Sequence, residues 1–299
     1  MNRQKIDYAN IYGGIDTLEV CSNNESPLTS EQVPYISKTI RKDTKTGKVY
    51  YKLNPDKAND NLQIYHYGTY NKVCDNMIYQ MELINPVKTR IDFRFDSFDN
   101  DTYQGLLKLN KVIILLLSQE YKMGNRYVSY DPLSLEDLTI RVQSDTLEAE
   151  NYNKALQEPD GDVNSRLELR SKRLYNSTTD EQGKESTELN KWLDRLDKAV
   201  TKDNFYRLQD MINVSLLDKY NTEKDTKGFK ISAFIYKYQD SIFSSRQMTN
   251  FFQAVGSANP QQQAKNYKTR NKIEYFSFND LQFYVEKIKQ AGTAFLETD

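Results

Sequence analysis

Strict alternation of apolar and charged residues is the feature that most limits how this chain can fold. From Arg90 to Asp96 the sequence reads Arg-Ile-Asp-Phe-Arg-Phe-Asp, so a charged side chain occupies every second position. Successive residues of a β-strand point to opposite faces of a sheet, whereas a helix would scatter these residues around its axis. The segment 89–96 therefore predicts a strand with one apolar face and one face of acids and arginines.

A second region repeats this pattern. Residues 138–170 predict a hairpin with a tight turn at Ser144-Asp145, then a loop centred on 159–162, then a third strand at 166–170. Period two places on one face of these strands Glu148, Glu150, Tyr152, Arg166, Glu168 and Arg170. An exposed face of this kind needs only ordinary ion pairs. If the face is covered, its charges must pair or hold a metal, because burying an isolated charge is costly.

Composition narrows the possible functions. The chain has 299 residues, enough for one large or two modest domains with a proper core. Its net charge is −1 and 28% of its residues are charged, with both signs mixed, so only local basic patches could bind phosphate. The 22 tyrosines suit a core and sheet surfaces, and a few of them could stack on unpaired bases.

Several classes of site are excluded. Cys21 and Cys74 have neither zinc-ligand spacing nor a disulfide framework, which fits a reducing cytoplasm. His66 is the only histidine, so a His-hydrophobe-His metal pair cannot form and a Ser-His-Asp triad has little support. The polar start of the chain is not a signal peptide, and its longest apolar run, 112–117, is too short to cross a bilayer. We expect a cytoplasmic protein without membrane contact.

Periodicity along the chain predicts an α+β protein. The patterns indicate the following elements: a strand at 16–20, a hairpin at 36–53, strands at 63–70 and 77–83, and a helix at 102–122. Apolar residues at helical spacing then predict helices from 189 to the C-terminus. The charged, turn-rich segment 221–228 predicts a boundary between a domain at 1–220 and a helical region at 228–299.

Two basic segments are candidates for DNA contact. Lys45 and Lys48 lie at the tip of the predicted hairpin, where they either contact phosphate or line a solvated turn. Lys265, Lys268 and Arg270 lie on a glutamine-rich helix that begins at 260. With its neighbours this helix is similar to a helix-turn-helix DNA reader, and a partner-docking domain explains it equally well.

The ordered set of motifs resembles a known family. The segments Thr89-Arg-Ile-Asp-Phe-Arg-Phe-Asp96, Tyr152-Asn-Lys154 and Arg166-Leu-Glu-Leu-Arg170 resemble the core of the Rep_trans family. That family contains rolling-circle plasmid replication initiators and related relaxases of integrative conjugative elements. Weaker similarity lies at 14–20 and 77–86, so the resemblance covers about residues 14–175. It implies a central, mostly antiparallel sheet with packed helices, like an HUH endonuclease without the His pair, followed by a small helical region.

The resemblance also implies a site-specific DNA nickase and strand transferase. Tyr152 would attack a phosphodiester, forming a 5′-phosphotyrosine and a free 3′-OH primer, and Lys154 would lower the tyrosine pKa or neutralise phosphate. Mg²⁺ or Mn²⁺ would be held by the carboxylates of Asp92, Glu168, Asp96 and Glu82. On this sheet face DNA would be contacted by Arg90, Arg94, Arg166 and Arg170. Independently of the resemblance, the two basic segments add Lys45, Lys48, Lys265, Lys268 and Arg270 as candidate DNA contacts.

The sequence alone does not decide the binding partners or the biological role. The expected partner is the origin DNA of a plasmid or mobile element, single-stranded at the nick, with a host helicase, a polymerase and a second copy of the chain as further candidates. Alternatives to replication initiation are a conjugative relaxase, a non-enzymatic DNA-binding or regulatory protein, and a two-metal nuclease that uses water.

Overall fold

A seven-stranded antiparallel sheet forms the centre of the protein. The computed structural model describes residues 11–36, 41–98, 103–124, 140–152, 165–174, 184–271 and 275–297. The strands are β1 (Ile11–Ser22), β2 (Arg41–Lys42), β3 (Val49–Leu53), β4 (Val87–Ser97), β5 (Ile140–Gln143), β6 (Leu147–Tyr152) and β7 (Ser165–Lys172). Their order across the sheet is β2-β3-β1-β4-β7-β6-β5. This arrangement brings the two strands with alternating charge, β4 and β7, side by side.

Helices make up most of the rest of the described chain. They are α1 (Pro55–Ala58), α2 (Tyr67–Gln80), α3 (Tyr103–Glu120), α4 (Lys184–Ala199), α5 (Lys202–Glu223), α6 (Ile231–Lys237), α7 (Ser245–Ala254), α8 (Pro260–Asn271) and α9 (Phe278–Leu296). The predicted fold class is therefore confirmed: α+β, with an antiparallel sheet, packed helices and a helical C-terminal part.

One face of the sheet is apolar and carries the core. Phe93 and Leu169, directly opposite each other on β4 and β7, are fully buried there. Helix α3 packs on β5, β6 and β7, while α9 packs on β1 and β4. Trp192 of α4 is fully buried on the same side and donates a hydrogen bond from Nε1 to Ser171 Oγ at 3.0 Å. The core is thus built between one sheet face and three helices.

The close approach of α9 to the sheet depends on a glycine. A Cβ atom at Gly13 of β1 would lie 2.6 Å from the carbonyl oxygen of Ala291, closer than real atoms come. On the same helix, Tyr284 donates a hydrogen bond to Asn110 Oδ1 of α3 at 2.7 Å. The last helix of the predicted 228–299 region therefore packs on the sheet, and the predicted boundary at 221–228 coincides with the end of α5.

The two strands predicted at 63–70 and 77–83 are wrong. Residues 67–80 form one helix, α2, and the turn predicted between the strands lies inside it. Tyr70, Cys74 and Met77 are the buried residues of this helix, and their spacing of four and three is helical. The weak similarity at 77–86 is consequently not a strand.

Other predicted elements agree with the structure. The β2–β3 hairpin, the β5–β6 hairpin and the long helix α3 all form close to their predicted positions. Gly256 ends α7 with a φ of 80°, a left-handed conformation that glycine adopts without strain. Within the described residues, none of the helices is both long enough and apolar enough to span a bilayer.

Candidate active site

The second face of the sheet carries the charged residues, and we call it the charged face. It consists of Asp92, Arg94 and Asp96 on β4, Arg166, Glu168 and Arg170 on β7, and Glu148, Glu150 and Tyr152 on β6. Strand register places an acid opposite an arginine in three successive pairs: Asp92 with Arg170, Arg94 with Glu168, and Asp96 with Arg166. Opposite charges at directly facing positions stabilise a strand pair.

The charged face is buried. Arg94 and Asp96 are 0% exposed and Glu168 is 2% exposed. A solvated sheet face with ordinary surface ion pairs, one of the two interpretations that the sequence allows, is therefore wrong. Burying so many charges is unfavourable unless each is paired. Arg166 pairs with Asp96 and Arg170 with Asp92 across the strands, whereas Arg94 pairs with Asp56 and Glu168 with Arg170.

Asp92 and Glu168 lie on the same side of the sheet, as predicted, and they share Arg170. The Arg170 Nε atom lies 3.4 Å from Asp92 Oδ2, and its Nη2 donates to Glu168 Oε2. Burial raises the pKa of Glu168 to about 6, with contributions from the nearby carboxylates of Asp16 and Asp92. Glu168 is thus a carboxylate that can take up a proton close to neutral pH.

Tyr152 is hydrogen-bonded to that carboxylate. Its hydroxyl Oη donates to Glu168 Oε1, and the residue is 6% exposed. Burial and the negative charge of Glu168 raise the pKa of Tyr152, although Arg166, directly opposite on β7, opposes this shift. The tyrosine is therefore held in its neutral form by these described neighbours, and the predicted effect of Lys154 on its pKa stays a prediction. The Glu168 carboxylate, which already accepts a hydrogen bond from the Tyr152 hydroxyl, can accept its proton.

Arg166 is fixed beside Tyr152 by two acids. Its Nε and Nη2 donate to Asp96 Oδ1 and Oδ2 at 2.6 and 2.9 Å, and its Nη1 donates to Asp16 Oδ1 at 2.6 Å. Asp16 lies where the register of β1 against β4 shifts, between Ile15 and Thr17. The sequence pattern did not single out Asp16, because a bulge breaks the period-two alternation that would have placed it on this face.

Arg94 has a different environment. It pairs with Asp56 of α1 and donates from Nη2 to the carbonyl oxygen of Ile64 at 3.1 Å. Its guanidinium also lies over the ring of Tyr65, 5.2 Å from the centroid. Arg94 therefore attaches the segment around α1 to the sheet, and its predicted contact with DNA stays a prediction.

The carboxylates do not form a metal-ligand set in this arrangement. Both oxygens of Asp92 accept from Arg90, at 2.7 Å from Nε and 2.6 Å from Nη2. Both oxygens of Asp96 accept from Arg166. Across the described parts of the chain, no three His, Cys, Asp or Glu side chains are grouped so as to hold a metal ion. An ion would have to displace an arginine from its carboxylate.

The remaining predicted site residues lie elsewhere. Glu82 is exposed in a left-handed turn after α2, so the structure does not bring it to the other acids. Lys45 is exposed at the β2–β3 hairpin tip, where Lys48 is half-buried. Lys265 and Lys268 are exposed on α8, and Arg270 belongs to the same helix. His66 is exposed just before α2. Lys154 lies outside the described residues.

Comparison with known proteins adds little to this geometry. No family model matches the chain, and no curated protein matches it. Among solved structures, the chain is similar to one described as "Structure of Rolling Circle Replication Initiator Protein from Geobacillus stearothermophilus". That match has 11% sequence identity, covers 55% of this chain and 75% of the other, and has a TM-score of 0.29.

Proposed function

We propose that this protein cleaves single-stranded DNA by transesterification, with Tyr152 as nucleophile and Glu168 as general base. The observation that carries the proposal is the hydrogen bond from the Tyr152 hydroxyl to a buried carboxylate whose pKa is raised to about 6. A nucleophile in contact with its base, next to a fixed cation, is the arrangement that covalent catalysis requires.

The chemistry follows from these contacts. Tyr152 Oη attacks phosphorus as its proton moves to Glu168, the bond from phosphorus to the 3′ oxygen breaks, and the 5′ phosphate stays on the tyrosine. The protein keeps the energy of the phosphodiester in the phosphotyrosine, so the strand can be rejoined. Proton transfer during the attack is needed because Tyr152 is neutral at rest.

Two arginines near Tyr152 support the proposal as the cations that would neutralise the phosphate. Arg166 lies directly across from Tyr152, and Arg170 contacts the far oxygen of Glu168. Positive charge fixed before the reaction stabilises the charge that develops on the phosphoryl oxygens. The predicted need for Mg²⁺ or Mn²⁺ stays a prediction, and no step here depends on a metal.

The biological role that we propose is initiation of rolling-circle replication, in which the freed 3′-OH primes synthesis on a plasmid or mobile-element origin. A conjugative relaxase would use the same chemistry. This choice rests on the motif resemblance alone, and the genes beside this one test it: a small plasmid with an inverted repeat supports initiation, whereas a transfer operon supports a relaxase.

A non-enzymatic DNA-binding protein is the second candidate, because every described charge of the charged face has a partner. The test is cleavage of an origin oligonucleotide followed by addition of a DNA polymerase. We expect a 5′ fragment that the polymerase extends and a 3′ fragment that stays with the protein in denaturant. A nuclease that uses water would release both fragments, and a non-enzymatic DNA-binding protein would leave the oligonucleotide intact.

A further inference from the structure

A cleft of about 670 Å³ opens at the end of the charged face that lies away from Tyr152. We call it the basic cleft and define it by Arg41, Tyr50, Arg90, Gln143, Lys172 and Arg173, which line it. Lys172 lies six residues further along β7 than Arg166, or about 20 Å at roughly 3.4 Å per residue. The cleft is thus separate from the tyrosine site but continuous with the same sheet face.

The charges of the basic cleft favour an anion. Its described lining contains four cationic side chains and two acids, Glu19 and Asp145. Arg41 is 3.9 Å from Glu19 with 68% of its side chain exposed, and Arg173 is 4.0 Å from Asp145 with 54% exposed. Ion pairs this long and this exposed are weak, so both guanidinium groups can turn to a ligand phosphate.

A buried donor in the cleft wall also lacks an acceptor. Gln143 Oε1 accepts from Lys172 Nζ at 3.2 Å, but its Nε2 is shielded from solvent and has no hydrogen-bond partner within the described residues. A buried amide donor left unpaired is unfavourable by about 1–3 kcal/mol, so this position favours a ligand that brings an acceptor oxygen.

Two further features suit a nucleotide. The Arg41 guanidinium lies 4.2 Å from the ring centroid of Tyr50, which gives the cleft a flat cation–aromatic wall of the kind that stacks on bases. Arg173 has a φ of 63°, a conformation that non-glycine residues rarely adopt outside functional or tightly constrained positions. The volume lies in the range of about 300–1,000 Å³ that is usual for small-ligand sites.

We propose that the basic cleft binds a nucleotide unit of the single strand, several nucleotides from the one that Tyr152 attacks. This inference rests on the proposed function for the identity of the strand, but it concerns binding and not cleavage. The cleft would hold a phosphate between Arg41 and Arg173 and would present the Gln143 amide to an acceptor oxygen. It would fix which phosphodiester reaches the tyrosine.

The test is equilibrium binding measured in the Tyr152→Phe background, which cannot form the covalent adduct. A labelled single strand of about 12 nucleotides, within the site sizes usual for such proteins, is titrated by fluorescence anisotropy. We expect the Arg41→Gln/Arg173→Gln pair to weaken binding about tenfold at low salt. The slope of log K against log salt should fall by about 0.7, since the one phosphate held between the two arginines contributes roughly that amount on a single strand.

A second variant isolates the amide donor. Gln143→Glu keeps the acceptor for Lys172 but replaces the amide donor with a carboxylate oxygen, so it should also weaken binding in the same titration. Lys224→Gln/Lys227→Gln, which removes two exposed cations that do not line the cleft, is the matched control and should bind like the parent.

Each outcome decides something. If the cleft variants and the control bind the strand with equal affinity, or if the Tyr152→Phe protein does not bind it, the proposal that the basic cleft binds a nucleotide is wrong. A loss of binding in the cleft variants, together with the absence of any adduct in the wild type, keeps the cleft and rejects Tyr152 as nucleophile. If the wild type forms the adduct but the cleft variants bind like the control, Tyr152 is kept as the nucleophile and the basic cleft is rejected.

Discussion

Where β4 and β7 pair, both faces of the central sheet are buried, but in different ways. The apolar face is covered by α3, α4 and α9, and residues such as Phe93 and Leu169 fill it. The charged face is just as inaccessible at Asp96 and Glu168, yet it is filled by acids and arginines. Burial alone therefore does not separate the core from the site, and the chemistry of the buried groups does.

The energetics of the two faces differ too. Apolar burial stabilises a fold by about 25 cal/mol per Å². Buried ion pairs give little net stability, because desolvation offsets most of their attraction, and well-packed apolar residues often replace them without loss. The charged face is thus not what a chain needs merely to fold, which directs attention to its function. Four experiments test this difference between the two faces.

Removing the base should have the largest effect on activity. We expect Glu168→Gln to slow cleavage by about 10²- to 10⁴-fold, because the tyrosine proton loses its acceptor. The fold should survive, since the amide preserves the shape of the side chain. Glu150→Gln is the matched control: Glu150 faces Glu168 across the strands and pairs with Arg170, but the Tyr152 hydroxyl donates its hydrogen bond to Glu168. Equal losses in the two variants would contradict the role of Glu168.

A substitution on the apolar face should lower stability and leave the cleavage activity of the folded protein nearly unchanged. We expect Phe93→Ala to lower the free energy of unfolding by about 3–5 kcal/mol, measured by denaturant titration, because the side chain is fully buried. At temperatures where the variant is still folded, its rate of cleavage per folded molecule should stay within a few-fold of the wild type. A selective loss of cleavage would show that the two faces are not separable.

The raised pKa of Glu168 predicts opposite pH dependences for the cleavage rate and for the stability of the fold. Below about pH 6 the rate should rise about tenfold per pH unit and then level off, because only the deprotonated base accepts the tyrosine proton. Stability moves the other way. A carboxyl whose pKa is raised by folding stabilises the protein at low pH, and this contribution is lost as pH rises through about 6.

Glu168→Gln should remove both pH effects. Its rate should show no step near pH 6, and its stability relative to the wild type should increase as the pH rises from 4.5 towards 7. Rate profiles and thermal unfolding at matched pH values check the two effects. A wild-type rate that is flat across this interval would argue against Glu168 as the base.

The smallest effect concerns the metal. Because Arg90 occupies both oxygens of Asp92, a divalent ion must compete with it for that carboxylate. We expect Arg90→Gln to bind Mn²⁺ a few-fold more tightly than the wild type in isothermal titration calorimetry. Arg41→Gln, which removes an exposed arginine that pairs with Glu19 and not with Asp92, is the control. If the wild type and Arg90→Gln bind Mn²⁺ equally, Asp92 is not a ligand.

The sequence predicts the charged face of the sheet well. Period two at 89–96, 148–152 and 166–170 was enough to put Asp92, Tyr152 and Glu168 each on the charged side of its strand, because period two is the geometry of a strand. It could not show which strands are neighbours. The insertion of β1 between β3 and β4 is a matter of long-range packing, which local patterns do not encode.

The partners of the site residues were also out of reach of local patterns. Asp16 meets Arg166 across 150 positions of sequence, and Asp56 meets Arg94 from a short helix. Helix α2 was read as two strands because its tyrosines have high strand propensity, whereas the tertiary packing of Tyr70, Cys74 and Met77 decides its structure.

The central claim is that Tyr152 forms the covalent bond to DNA. The direct measurement is to incubate the protein with its origin single strand and Mn²⁺, denature the mixture, and map any protein–DNA adduct by mass spectrometry. We expect an adduct on the peptide that contains Tyr152 and none with Tyr152→Phe, which keeps the fold and the ring but lacks the hydroxyl. An adduct of undiminished yield in the Tyr152→Phe protein would contradict the account.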